Sequence, residues 1–202
     1  MVKKEIYDDF VMIAKEEIGA FCDNMDYEAV KAAADLILSA KEEGRRLHIS
    51  GIGKPGHIAG YIASLISSTG TPAYFLHGTE AVHGSCGQLL PGDVVIFISN
   101  SGQTAEMKVT VEALLRNEAK LIGVSGNPDS WLAQKSDVFL FAGVTREGGP
   151  LNRAPRLSIV AETLVLQALS VALQSDAQIT PQQYVKWHPG GSLGQLREHE
   201  KQ

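Results

Sequence analysis

From Asp93 to Ile98 the chain reads Asp-Val-Val-Ile-Phe-Ile, an apolar, β-branched run without alternating polar positions. Such a run predicts a strand buried on both faces of a parallel sheet. From Gln103 to Arg116 the apolar residues fall at Met107, Val111, Leu114 and Leu115, the spacing of one helical face. The same two signatures alternate along the rest of the chain. Helices are predicted over about Lys4–Phe21, with Phe10, Ile13, Ala14 and Ile18 apolar, and over Tyr27–Lys41. A strand at Leu47–Ser50 precedes a helix at Gly56–Ser68, whose Ile58, Ile62, Leu65 and Ile66 share a face. Further strands follow at Ala73–Leu76, Val94–Ile98, Leu121–Val124 and Val138–Phe141, with a short helix near Trp131. Leu157–Leu173 is apolar nearly all round, which predicts burial on more than one side. Strands alternating with helices imply an α/β fold, three-layered and doubly wound, with a five-stranded parallel sheet between helices. No internal repeat, low-complexity tract or linker divides the chain. One domain is expected over 1–202, with N-terminal helices in 1–44 and the core in 45–195.

In open α/β sheets a ligand sits beyond the carboxyl ends of the strands, and the polar clusters fall there. The first strand is followed by Gly51-Ile-Gly-Lys54-Pro-Gly56-His57, the second by His77-Gly-Thr-Glu80-Ala-Val-His83-Gly84. The third leads into Ser99-Asn-Ser-Gly-Gln-Thr104, the fifth into Arg146-Glu147-Gly-Gly-Pro-Leu-Asn-Arg-Ala-Pro155. At the third junction Ser99, Asn100, Ser101 and Thr104 surround Gly102 where a strand gives way to a helix. Free backbone N–H groups, a favourable dipole end and three hydroxyls suit a phosphate. A helix cap alone needs one such hydroxyl.

The other loop residues have plainer readings when taken singly. Gly51–Gly56 spells Gly-x-Gly-x-x-Gly, but no acidic residue follows near position 72 to hold a ribose, and Pro55 after Lys54 rules out a Walker A loop. Lys54 in a glycine turn at a strand end reads as a substrate contact. His83 alone reads as a loop histidine, Glu106 as a complement to a helix dipole, and Glu147 as an exposed loop acid. His48 and His57 read as structural, and His188 lies in the turn-forming Lys186-Trp-His-Pro-Gly-Gly-Ser-Leu-Gly194. Their shared placement on one rim argues for them jointly.

Composition narrows the classes. The 202 residues are 44% hydrophobic and 20% charged with a net charge of -5, an ordinary globular balance. No basic stripe points to nucleic acid. No uninterrupted apolar run approaches ~18 residues, which argues against a membrane span. Cys22 and Cys86 form no metal spacing or disulfide framework, and the N-terminus has no apolar signal region. A cytoplasmic protein without a required metal is expected.

The chain resembles the sugar isomerase (SIS) domain family, within it the arabinose 5-phosphate isomerases of the Kdo pathway. The resemblance rests on Gly51-Ile-Gly-Lys-Pro-Gly-His57, Ser68-Thr-Gly-Thr-Pro72, Glu80-Ala-Val-His-Gly84, Ser99-Asn-Ser-Gly102, Pro150-Leu151, Ala154-Pro155 and His188-Pro-Gly-Gly-Ser-Leu-Gly194. It implies a flavodoxin-like SIS fold and cofactor-free interconversion of D-ribulose 5-phosphate and D-arabinose 5-phosphate, toward Kdo and lipopolysaccharide. It places the catalytic set on Lys54, Glu106, Glu147 and His188 with His83 beside them, and the phosphate on Ser99, Asn100, Ser101, Thr104 and Gly53. Passage through an enediol needs a base and an acid, for which Glu and His serve, and a cation such as Lys54 at the enediolate oxygen. A carboxylate is expected as the C1/C2 base, with His188 serving ring opening or the oxygen protons.

Departures from the family pattern are Pro55 and Ser85 for the usual Ser and Asp, and Arg153, Arg156 and Leu157 for small or hydroxyl residues. Arg153 or Arg156 either faces solvent, compensates at the phosphate or favours a larger anionic ligand. The resemblance further implies a homotetramer, or a dimer, with site histidines crossing from a neighbour. Longer relatives carry CBS domains; a short form without them is expected, with Kdo or CMP-Kdo a candidate feedback ligand. The alternatives are another SIS enzyme, acting on a heptose or hexulose phosphate, and a non-catalytic sugar-phosphate sensor.

Overall fold

Val94, Ile96 and Ile98 enter one apolar layer while Val95 and Phe97 enter the other, so the run from 94 to 98 is a strand with helices on both sides. The computed structural model describes residues 3–201; residues 1, 2 and 202 of the expected 1–202 domain lie outside it. In chain order the elements are α1 (Lys4–Asp23), α2 (Tyr27–Glu42), β1 (Leu47–Gly51), α3 (Lys54–Ser68), β2 (Ala73–His77), β3 (Val94–Ile98) and α4 (Ala105–Arg116). There follow β4 (Lys120–Ser125), α5 (Trp131–Lys135), β5 (Val138–Phe141), α6 (Leu157–Ala177) and α7 (Pro181–Trp187). The sheet is parallel throughout, ordered β2-β1-β3-β4-β5. This is the flavodoxin-like order, in which winding reverses between β1 and β3 and opens a crevice at their carboxyl ends.

The two layers follow from right-handed crossovers run in opposite directions from β1 and β3. Residues of α1, α2, α3 and α6, such as Phe21, Ile37, Ile62 and Leu166, form the larger layer. Met107 and Leu114 of α4 and Leu132 of α5 form the smaller, joined by Ala81 and Cys86 from two 3-10 turns, Glu80–His83 and Ser85–Gln88. By length and composition α6 would suffice to cross a membrane. It packs against α1, α2 and α3 through Leu157, Ala161, Val165, Leu166, Leu169 and Leu173, while Val160 and Val171 on its other side are exposed, so the expected burial on more than one side is only partly met within this protomer.

The amino edge of the sheet is tied by Asp93, which is wholly buried. Its carboxylate accepts from the backbone N–H groups of Arg46 and Leu90, each at 2.9 Å, and meets His48 Nε2 at 3.2 Å and the Arg46 guanidinium at 3.1 Å. Burial works against its charge, but these hydrogen bonds hold Asp93 below the usual carboxylate range. His48 is therefore structural, as expected, whereas His57 is exposed on α3.

Candidate active site

The turn after β3 is pinned from behind. Ser99 N–H donates to the Val124 carbonyl at 3.0 Å, Ser125 Oγ donates to the Asn100 carbonyl at 3.0 Å, and Leu132 N–H donates to the Gly102 carbonyl at 3.1 Å. Gly102 has φ +59, and a Cβ there would collide with the Ser130 side chain, so the turn requires glycine. Thr104 occupies the N-cap of α4, yet its hydroxyl makes no capping bond. Ser101 Oγ accepts from Gln103 N–H at 3.3 Å, outside the helix. The hydroxyls are thus not used up by capping, and the first amides of α4 face the crevice as a ready anion site. Across the switch point, Gly53 (φ +69) caps α3 without a side chain, and Lys54 opens that helix exposed to solvent.

Glu147 is not an idle loop acid. Its Oε2 accepts from the backbone N–H groups of Arg156 at 2.6 Å, Leu157 at 2.8 Å and Ser158 at 3.2 Å, so it closes the amino end of α6, where Arg156 supplies no side-chain cap. The loop carrying it is shaped by Asn152, whose Oδ1 accepts from Glu147 N–H at 2.6 Å. Upstream, Glu17 of α1 accepts from Thr145 N–H at 2.8 Å and from Arg146 Nε at 2.7 Å, which fixes the start of the loop. Burial pushes the Glu147 carboxyl up, but the hydrogen bonds at Ser158, Arg156 and Leu157 outweigh it and leave its pKa below the ordinary value.

These pieces meet in one cavity of about 360 Å³ at the carboxyl ends of β1 and β3. Ser99, Asn100, Ser101, Thr104, Glu106 and Glu147 all line it, with Arg153 and the apolar Ile52, Met107 and Ile159. Of the two arginines that depart from the family pattern, Arg153 reaches this cavity. Arg156 instead packs over Gly149, beside a separate cavity of about 460 Å³ bounded by Tyr7 and Phe10. Pro55 lines the site, and Lys54 and Gly53 precede it in the same turn. Among the described residues no three His, Cys, Asp or Glu side chains gather to hold a metal ion.

Four expected residues stand outside the cavity lining: Gly53 and Lys54, which only adjoin it through Pro55, and the two histidines His83 and His188. His83 ends the exposed 3-10 turn after β2, which packs against α4. His188 follows α7, and its neighbour Trp187 lies against Gly70, beyond the far end of α3. Pro55 marks the near end of that 15-residue helix, which is about 22 Å long at 1.5 Å per residue. Within one protomer, then, His188 does not share the rim with Glu147. Its ring stacks on Tyr184 with centroids 4.0 Å apart, and Nδ1 lies 2.8 Å from the Tyr184 carbonyl. A carbonyl only accepts, so Nδ1 carries the hydrogen and Nε2 of the neutral ring is the free base.

Sequence reasoning missed Asn152, Glu17 and the apolar walls. Asn152 alone carried a local signal, an Asn inside a Gly/Pro loop, and it adopts φ +46.

The SIS domain family matches residues 41–172 of this chain. Arabinose 5-phosphate isomerase KdsD of Pseudomonas aeruginosa PAO1 is 38% identical over 192 residues, covering 92% of this chain and 58% of that protein. The chain spans about half the length of the curated relatives it matches. Among solved structures, a protein of Listeria monocytogenes 4b F2365 superposes with a TM-score of 0.83 at 30% identity, covering 94% of this chain and all of the other. A protein of Escherichia coli CFT073, solved in complex with arabinose 5-phosphate, superposes with a TM-score of 0.77 at 33% identity, covering 92% and 95%. A match over residues 41–172, on a sheet of flavodoxin-like order with its hydroxyl turn at the switch point, places this chain in the SIS domain family.

Proposed function

We propose that this chain is an aldose–ketose isomerase that interconverts D-ribulose 5-phosphate and D-arabinose 5-phosphate. The observation carrying this reading is the single cavity lined both by the hydroxyl turn after β3 and by two carboxylates, Glu106 and Glu147. A binding module needs the turn alone. The name of the Pseudomonas relative and the arabinose 5-phosphate bound to the Escherichia coli neighbour support the same substrate.

Ribulose 5-phosphate is open-chain, since the hydroxyl that would close a furanose carries the phosphate; arabinose 5-phosphate closes through O4 and must first open. A proton then leaves C1 of the ketose, C1=C2 of the enediol forms, and a proton is delivered to C2. O2 gains a proton as O1 loses one, so atoms and electrons balance. Ser99, Asn100, Ser101 and Thr104 hold the phosphate at the first turn of α4, with Gly53 of the α3 turn, and that remote binding positions C1 and C2. Arg153 adds charge at the same end. Glu147 remains ionised at neutral pH and keeps Oε1 outside its backbone cap, so it takes the C1/C2 proton; Glu106 lines the same cavity as the second carboxylate. Lys54 stabilises the enediolate oxygen. His188 Nε2 exchanges the ring and oxygen protons, from a neighbouring subunit, with His83 beside the site.

A homotetramer supplies that neighbour. In such an enzyme the product feeds Kdo synthesis for lipopolysaccharide in the cytoplasm, and Kdo or CMP-Kdo are its candidate feedback ligands. The test is a panel of five-, six- and seven-carbon ketose phosphates with products separated by anion-exchange chromatography. Turnover of the five-carbon sugar, with the longer ones at least tenfold slower, is the expected result. Turnover of the seven-carbon sugar alone would contradict the substrate assignment.

A further inference from the structure

Glu162 on α6 is a wholly buried carboxyl that the chemistry above does not use, and neither of its oxygens has a hydrogen-bond partner. Ser158, four residues earlier and so on the same helix face, is also wholly buried. The Ser158 N–H is one of the three that hold the Glu147 carboxylate. Glu162 thus lies one turn behind the capped end of α6, on the interior side of the site.

An unpaired carboxylate is not sustained in such surroundings, and burial leaves the proton on the group. Burial first, and then the negative charge of Glu147, raise the Glu162 carboxyl to about 8. The elements packed on α6 bring no compensating cation. On α3, Lys54 and His57 are exposed in the first turns and Tyr61 bonds Gln167. On α2, Lys31 pairs with Asp35 at the surface, and on α1, Glu17 is taken by Arg146. Arg153 and Arg156 of the preceding loop are exposed.

We propose that Glu162 is a positioning residue of this isomerase, a second carboxyl behind Glu147 whose retained proton lets Glu147 ionise and a dianionic phosphosugar bind. It acts through Glu147 and does not touch substrate, and the proposal rests on the isomerase reading. Once Glu162 loses its proton, two like charges share the amino end of α6. Glu147 then holds its own proton more tightly, and the phosphosugar is repelled.

The experiment compares the wild-type chain with Glu162→Gln, neutral at every pH, and Glu162→Met, neutral and of similar volume, as the second variant should Gln fail to fold. The kcat/KM profile is recorded from pH 6 to 9.5. The wild type should fall on the alkaline side, and the variant should exceed it by roughly tenfold one pH unit above the Glu162 midpoint, while matching it near pH 6.5. An alkaline limb unchanged by the substitution overturns the proposal. Thermal midpoints across the same buffers and down to pH 5 need no turnover. Because the folded state binds this proton more tightly than the unfolded chain, that stabilisation is full below about 4.5 and is lost as pH rises through about 8. The wild-type midpoint should therefore fall relative to the variant between pH 5 and 8; parallel curves overturn the proposal. A diverging pair of melting curves in a protein that turns over no sugar keeps the carboxyl pair and removes the isomerase instead.

Discussion

Glu147 closes the amino end of α6 with Oε2 and also lines the cavity, so it carries a structural duty beside the proposed catalytic one. Glu147→Ala removes both, and should lower stability by about 1–2 kcal/mol in urea denaturation, as loss of a good helix cap does. Glu147→Gln keeps an acceptor for the cap and should lose less than half of that, while activity falls by roughly 10²–10⁴. Equal stability losses would show that the cap depends on charge rather than on an acceptor. That dual duty was not legible in the sequence. A Glu in a Gly/Pro-rich loop carries no periodicity, and its partners are backbone groups nine to eleven residues away. Glu162 was hidden for the opposite reason: an acidic position within a largely apolar helix reads as its solvent edge, whereas Glu162 is wholly buried.

Among the elements, the strand–turn–helix from Val94 to Arg116 decides between capping and binding. Thr104 sits at the N-cap of α4 without making the bond that defines a side-chain cap. Thr104→Ala should therefore change stability by less than about 0.5 kcal/mol, well under the usual cost of losing a cap, yet raise KM by roughly tenfold through loss of a charge-assisted hydrogen bond. A stability loss with KM unchanged would return this turn to a purely structural role. Strands such as β3 were readable because a strand buried on both faces is a short unbroken apolar run, helices such as α3 and α4 because their apolar spacing is regular, and α6 because it is a long apolar run. The helix α7 and the two 3-10 turns after β2 were not. They are short, carry few apolar residues, and are fixed by contacts such as Thr110 Oγ1 donating to the Gly78 carbonyl at 2.8 Å. Periodicity also starts α3 late, at Gly56 rather than Lys54, because Pro55 in the first turn breaks the pattern without breaking the helix.

On the scale of the whole molecule, parallel packing of α3 and α6 puts the cavity at one end of the protomer and His188 toward the other. The sequence could place His188 in a turn but not at an end of the fold, since α6 separates it from Glu147 by its full 21 residues. If the neighbour supplies His188, pooled Glu147→Gln and His188→Ala subunits, each nearly inactive alone, should regain activity after dissociation and reassembly. Random pairing restores about a quarter of the sites. No regain, with mixed oligomers verified by mass, would place all catalysis within one subunit.

The central claim, that this cavity moves a proton between C1 and C2 of a pentose phosphate, is tested most directly by proton NMR of the purified chain with D-ribulose 5-phosphate in deuterated buffer. The account predicts arabinose 5-phosphate signals with deuterium entering at C2, lost in Glu147→Gln. Unchanged ribulose 5-phosphate, in a protein that the sugar nevertheless stabilises against heat, would contradict it and leave a sensor of sugar phosphates.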